Sequence, residues 1–218
     1  MALGVQRRED AVAQAKRPQA LWCYLVAGWS GFFVMLVELI GGRMIAPFFG
    51  SSIYVWGAVI FVFMLGLAVG YLLGGVWSNR RPSTPRLCAI LTAAAVAALP
   101  AVVLGDRLLN AVFDHTSDPR AGSLLTCFLL FFAPAVLSGM VSPYAVRLLV
   151  RDEASSGRSA GYLYFVSTVG SSAGTLLTSF YLVLWFEVNT ILTGGVVISL
   201  LLGAAGALAC RSAARSPR

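Results

Sequence analysis

Six stretches of the chain, 20–45, 53–77, 87–104, 124–150, 162–184 and 188–209, are continuously apolar, and each approaches or exceeds the ~20 residues with which a helix crosses hydrocarbon. Short polar or glycine-containing segments separate them. Inside a bilayer the backbone must satisfy its own hydrogen bonds, which leaves helices or closed barrels. Barrel strands alternate in polarity over about ten residues. These runs do not alternate, so the sequence predicts an all-α polytopic membrane bundle of six transmembrane helices. Composition agrees: only 11% of the 218 residues are charged and mean hydropathy is +0.82, too few ionisable groups to coat a water-facing surface. A soluble enzyme and a disordered tail are both excluded. The predicted organisation is a tail over 1–19, a six-helix domain over 20–210 and a second tail over 211–218. The first run is too long for the apolar core of a cleaved signal peptide, so it is read as a retained helix.

An even number of spans puts both termini on one side, and the basic residues indicate which. Arg7, Arg8, Lys16 and Arg17 precede the first span, Arg80, Arg81 and Arg86 separate the second and third, Arg147, Arg151 and Arg158 follow the fourth, and Arg211, Arg215 and Arg218 follow the sixth. Only Arg43, Arg107 and Arg120 fall opposite. Under the positive-inside rule both termini are cytoplasmic. This distribution also accounts for the net charge of +7, with anionic lipid headgroups as counter-charge and no nucleic-acid partner required.

The four cysteines, Cys23, Cys88, Cys127 and Cys210, lie in or at the edges of spans, without CxxC spacing or a neighbouring histidine. They read as small buried apolar residues, and neither a metal nor another cofactor is expected. His115 falls in a polar segment, 106–120, read as an outer loop.

Glu38 stands well inside the first run, where an ionised carboxylate is costly and marks a functional position by default; it reads either as part of a structural ion pair or capping bond, or as a protonatable or cation-attracting site. Arg43 follows five residues later, about 140° around an ideal helix, so pairing would need distortion near Gly41, Gly42 and the Ala46-Pro47 step. Ser167, Ser171, Thr175 and Ser179 repeat every fourth residue in the fifth run, with Thr168, Ser172 and Thr178 beside them. Such a stripe either bonds within and between helices or lines a hydrated cavity. Glu38 and Arg43 with Ser167, Ser171 and Thr175 form the candidate substrate-binding set.

Gly66, Gly70 and Gly74 strip side chains from one face of the second helix, which implies close helix packing, within the chain or in a homodimer. Pro134, Gly139 and Pro143 divide the fourth run, where a kink or short unwinding is expected. With Tyr144 and Arg147 they are candidates for a gate or a rigid kink.

Taken together these segments resemble the integral membrane portion of the bacterial fused membrane/spermidine synthase-like proteins over 21–210. The likeness is carried by Glu38, Gly42-Arg43, Ala46-Pro47, Gly50-Ser-Ser52 and Trp56, then Gly66, Gly70, Tyr71 and Gly74-Gly75. Downstream it continues through Ser138-Gly139, Ser142-Pro-Tyr144, Arg147-Leu148, Gly157-Arg158, Gly161, Ser167-Thr168, Gly170-Ser171 and Gly174-Thr175. The resemblance implies bacterial inner-membrane localisation. In fused members it also implies a following aminopropyltransferase-like domain that binds decarboxylated S-adenosylmethionine. Here eight residues follow Cys210 and no strand with a glycine loop appears, so the expectation is a stand-alone membrane module that is not an enzyme. Segment 70–81 loosely resembles the loop signature of major facilitator transporters, with Asn79 where that family has an aspartate, and six helices resemble half of such a transporter.

Two functions follow as expectations. One is transport or handling of a polyamine-like or other small cationic solute, with a homodimer as a natural assembly. The other is a membrane anchor or scaffold for a separate soluble aminopropyltransferase-like partner, or for a larger membrane complex, docked through Arg80 and Arg81.

Overall fold

The computed structural model describes the backbone of residues 2–80, 82–150 and 153–215, and the side chains of 19–80, 82–150 and 156–209. Among these residues every regular element is helical. Helices α1 (Ala2–Phe49), α2 (Ile53–Ser78), α3 (Thr84–His115), α4 (Pro119–Leu149) and α7 (Val188–Arg215) each contain a segment long and apolar enough to cross a membrane. Helix α5 (Glu153–Leu177) is not among them, because its serines and threonines dilute the hydropathy of an otherwise apolar run. It continues unbroken through a π-helical turn (Thr178–Leu182) into α6 (Val183–Trp185). The tail cations Arg7, Arg8, Lys16, Arg17, Arg211, Arg215 and Arg218, with Arg81, Arg151 and Cys210, lie outside the described side chains.

Helices overrun the apolar runs that predict them. Segment 106–120, read as a loop, is mostly helix: α3 extends to His115, leaving a connection of Thr116 to Asp118. Asp118 then caps α4 by accepting a hydrogen bond from the Arg120 backbone N–H at 2.9 Å. Helix α1 passes through Ala46-Pro47 and stops at Gly50, whose φ of 83° places it in the left-handed region while its N–H donates to the Ala46 carbonyl at 2.8 Å. Pro134 and Pro143 do not interrupt α4. Each removes one ladder donor, but α4 is held along its length by α1, α2 and α3. That support keeps the flanking turns helical.

Helix α1 touches α2, α3, α4, α5 and α7 and forms the axis of the bundle. Two parallel pairs are built on glycine. A Cβ on Gly66, Gly70 or Gly74 of α2 would strike Ala135, the Val136 carbonyl or the Met140 carbonyl of α4, so this glycine face is used inside the chain. Likewise a Cβ on Gly170 or Gly174 of α5 would strike the backbone of Gly28 or Phe32 on α1. A smaller antiparallel contact sets Gly203 and Gly206 of α7 on Thr92 and Cys88 of α3.

The core falls into two tiers. One contains Phe33, Ile40, Phe63, Ala98, Phe131 and Leu192; the other contains Ala27, Leu87, Leu91, Val141, Tyr144 and Leu163. Between them lies a layer of buried serines, Ser30, Ser138 and Ser199. Ser30 Oγ donates to the Ser138 carbonyl at 3.3 Å, Trp29 Nε1 donates to Ser199 Oγ at 2.8 Å, and Ser199 donates onward to the Gly195 carbonyl at 2.8 Å. Large apolar side chains such as Leu72, Phe165, Phe180 and Leu184 cover the outside. Such an exterior suits hydrocarbon and is unfavourable in water.

Candidate functional site

Position on α1 decides where Glu38 faces. Residues 31, 38 and 42 fall within about 40° of one another around a helix of 3.6 residues per turn, so they share one face. Gly31 lies against Ser167 and Ser171 of α5, and Gly42 lies against the Trp56 ring of α2. Glu38 therefore emerges between a contact with α5 and a contact with α2. Among the described residues those two helices make no substantial contact with each other, so α1 forms the floor between them.

The Glu38 side chain is half-buried, and its Oε2 is sealed off without a hydrogen-bond partner. Arg43 is exposed on another face and forms no ion pair with Glu38 among the described residues.

A second orphan accompanies the acid. Thr178, fully buried at the first position of the π turn, has no partner for its Oγ1. The α1–α5 register pairs Gly28 with Gly170 and Phe32 with Gly174. Carried forward by one step of four, it sets Leu36 level with Thr178, so Glu38 stands about 3 Å further along the axis at 1.5 Å per residue, and about 160° around α1 from Leu36. An α-helix would bond a threonine hydroxyl to the carbonyl four residues back, as Thr175 does to Ser171 at 3.0 Å. The π turn begins where that pattern ends, and π turns concentrate at functional positions.

The hydroxyl stripe divides between seam and exterior. Ser167, Ser171 and Thr175 are half-buried along α1, whereas Thr168, Ser172 and Ser179 are exposed. A lateral cavity of about 360 Å³ lies on another flank of α1, lined by Trp29, Phe32, Leu36, Leu182 and Ile191. Glu38 and the stripe are not among its walls.

The remaining candidates occupy the interior of α4 and its C-terminal end. Pro134 and Gly139 are buried, and a Cβ on Gly139 would strike the Leu67 backbone of α2. Pro143 flanks the Gly74 contact. Tyr144 is 1% exposed, and its hydroxyl accepts the Ser83 backbone N–H at 3.3 Å, at the start of α3. Arg147 is exposed in the last turn of α4. In the sequence Thr178 reads as one more member of the stripe, and nothing there signals the Trp29–Ser199 bond or the grouping of Trp77 and Arg86 with Tyr144.

Among the described residues no three His, Cys, Asp or Glu side chains are placed to hold a metal ion. At the opposite end, Arg120 Nη2 donates to the Tyr54 hydroxyl at 3.1 Å while its guanidinium stacks 4.2 Å from that ring, tying α2 to α4. Compared with protein-family models, curated proteins and solved structures, the chain matches none.

Proposed function

We propose that this protein is a multi-pass membrane protein that binds a polyamine-like or other small cationic solute at Glu38 in the course of its transport. The observation behind this reading is the unpartnered, buried Oε2 of Glu38 on the α1 floor between α2 and α5. An ionised carboxylate without a donor is strongly unfavourable in hydrocarbon, so the group requires either a proton or a cation delivered to it. A second buried oxygen without a partner, Thr178 Oγ1, lies at nearly the same level of the bundle. An ammonium group donates three hydrogen bonds and suits such a carboxylate.

The proposal includes six spans, with the helix from Glu153 to Trp185 as the fifth crossing, both termini cytoplasmic in a bacterial inner membrane, and the architecture of half a major facilitator-type transporter. The likeness to the membrane part of spermidine synthase-like proteins supports a polyamine-related solute. The arginine distribution along the sequence supports the orientation.

The test is flux of labelled spermidine into proteoliposomes containing wild type or Glu38→Gln. Wild type is expected to accumulate spermidine, and Glu38→Gln, which keeps the shape and loses the charge, to fall by about tenfold or more, the size expected for one hydrogen bond to a charged group. Absence of flux in folded wild-type protein would retire the proposal.

A further inference from the structure

The outer surface of the bundle changes character beside Glu38. On α5, Thr168 and Ser172 are exposed, and with Gly161 and Thr175 they fall within about 60° of one another around the helix. Ser171, about 40° beyond Thr175, lies against Gly31 of α1, on the face that carries Glu38. This small, hydroxyl-bearing face of α5 is therefore one wall of the groove whose floor holds Glu38. The other wall is α2, where Ile60, Met64 and Tyr71 are exposed within about 40° of one another. They start about 40° beyond Trp56, the residue that rests on Gly42. Elsewhere the bundle turns large apolar side chains outward, such as Leu129 on α4 and Leu201 on α7. Hydrocarbon suits those surfaces, but over the groove it would leave a carboxyl and a row of hydroxyls facing lipid tails.

The two walls fit each other. The α2 wall is a ridge of bulky groups, and the α5 wall is a trough, where a Cβ on Gly161 would meet nothing within 4 Å among the described residues. Within one chain α1 keeps them apart. Half a revolution about an axis normal to the membrane sets α2 of one copy against α5 of another, and α5 of the first against α2 of the second, ridge into trough both times. Small residues let membrane helices approach closely, and two-fold pairs are the commonest homo-oligomers. We propose that a second copy of this chain covers the groove in this way, and that the cavity so closed holds two Glu38 carboxyls, one from each copy. A single chain supplies only half of that site. Two carboxyls on one space suit a solute with two or more ammonium groups rather than one. The interface rests on the shapes and polarity of the walls; the pairing of carboxyls with ammonium groups rests on the reading of Glu38 as a cation site.

Cross-linking in membranes tests the interface. Gly42 meets Trp56 and by the α1–α5 register stands level with Leu184, so Met64, on a helix running the other way, stands within about 6 Å of the level of Ser172. In a cysteine-free background, Met64→Cys co-expressed with Ser172→Cys is expected to give a cross-linked pair of chains with a short bis-maleimide. Neither variant alone should do so, nor should the control pair Leu129→Cys and Leu201→Cys on the apolar flanks. Gly161→Trp, which has room in its own chain, should abolish the product and bring the particle mass in detergent from twice the 23.1 kDa of the chain down to one chain. If that variant does not fold, the cysteine pair still decides, because Met64 and Ser172 are both exposed and their replacement leaves the chain intact. Native mass spectrometry with spermidine adds the site: one spermidine per two chains is expected in wild type and none in Glu38→Gln, which should still cross-link. Cross-linking without any spermidine bound would leave the interface standing and overturn the reading of Glu38 as a cation site. Single-chain particles in wild type, equal cross-linking by the control pair, capture of Met64→Cys by a different protein alone, or one spermidine per chain would overturn the shared cavity.

Discussion

A methyl group at residue 70 would land on the Val136 carbonyl, whereas one at residue 57 or 75 of the same helix would meet nothing within 4 Å. Gly70→Ala is therefore expected to destabilise the protein by about 1–3 kcal/mol, the usual cost of overpacking. Gly75→Ala should be neutral or slightly stabilising, since alanine is the better helix former. Thermal unfolding in detergent, read for both variants, checks the contrast. The serine layer permits a similar test. A double-mutant cycle on Trp29→Phe and Ser199→Ala should give a coupling of about 0.6 kcal/mol, typical of hydrogen bonds between membrane helices. Residues of this kind are legible in the sequence to different degrees. Glycines at every fourth position announce a close contact by their spacing alone. A tryptophan and a serine 170 positions apart give no sign that they meet. Glu38 is legible from polarity, because a lone acid in an apolar run has few explanations. Its neighbours are not, because they depend on the level at which α5 lies against α1.

Helices as units are mostly legible from hydropathy, and the errors have physical causes. Hydropathy reports where a helix is apolar and is blind to where it ends, so α3 outlasts its apolar run and continues among polar residues to His115. Proline reports a lost donor, which becomes a break only where neighbouring helices fail to hold the turns around it. The one irregular turn within these helices, the π turn at Thr178–Leu182, carries neither glycine nor proline and so has no marker in the sequence. It yields a prediction at the scale of the element. Thr178→Val removes a buried hydroxyl that has no partner, so it should leave stability unchanged or raise it by up to about 1 kcal/mol, because unmet polar groups are costly to bury. If Thr178 serves the solute, spermidine flux should fall in the same variant. A stable protein with reduced flux is the expected pair of results, measured by thermal unfolding and by proteoliposome uptake.

For the molecule as a whole, the number of crossings is the property most open to direct measurement. Single cysteines introduced at Arg80 and Asp118 in a cysteine-free background should label with an impermeant maleimide from opposite sides of the membrane. A pair at Arg158 and Glu187 asks the same of α5 and its π-turn extension. Labelling of Arg158→Cys from the Arg80 side and of Glu187→Cys from the Asp118 side is expected. Labelling of both from one side would leave α5 lying along the membrane or turning back within it.

The division of the core into two apolar tiers with serines between them has a mechanical meaning. At the joint the serine hydroxyls bond to backbone carbonyls and accept from the Trp29 indole, while large side chains interlock above and below. Close backbone contacts at Gly28–Gly170 and Gly70–Gly139 hold the helices together at that same depth, so small residues set the spacing from which both apolar tiers extend.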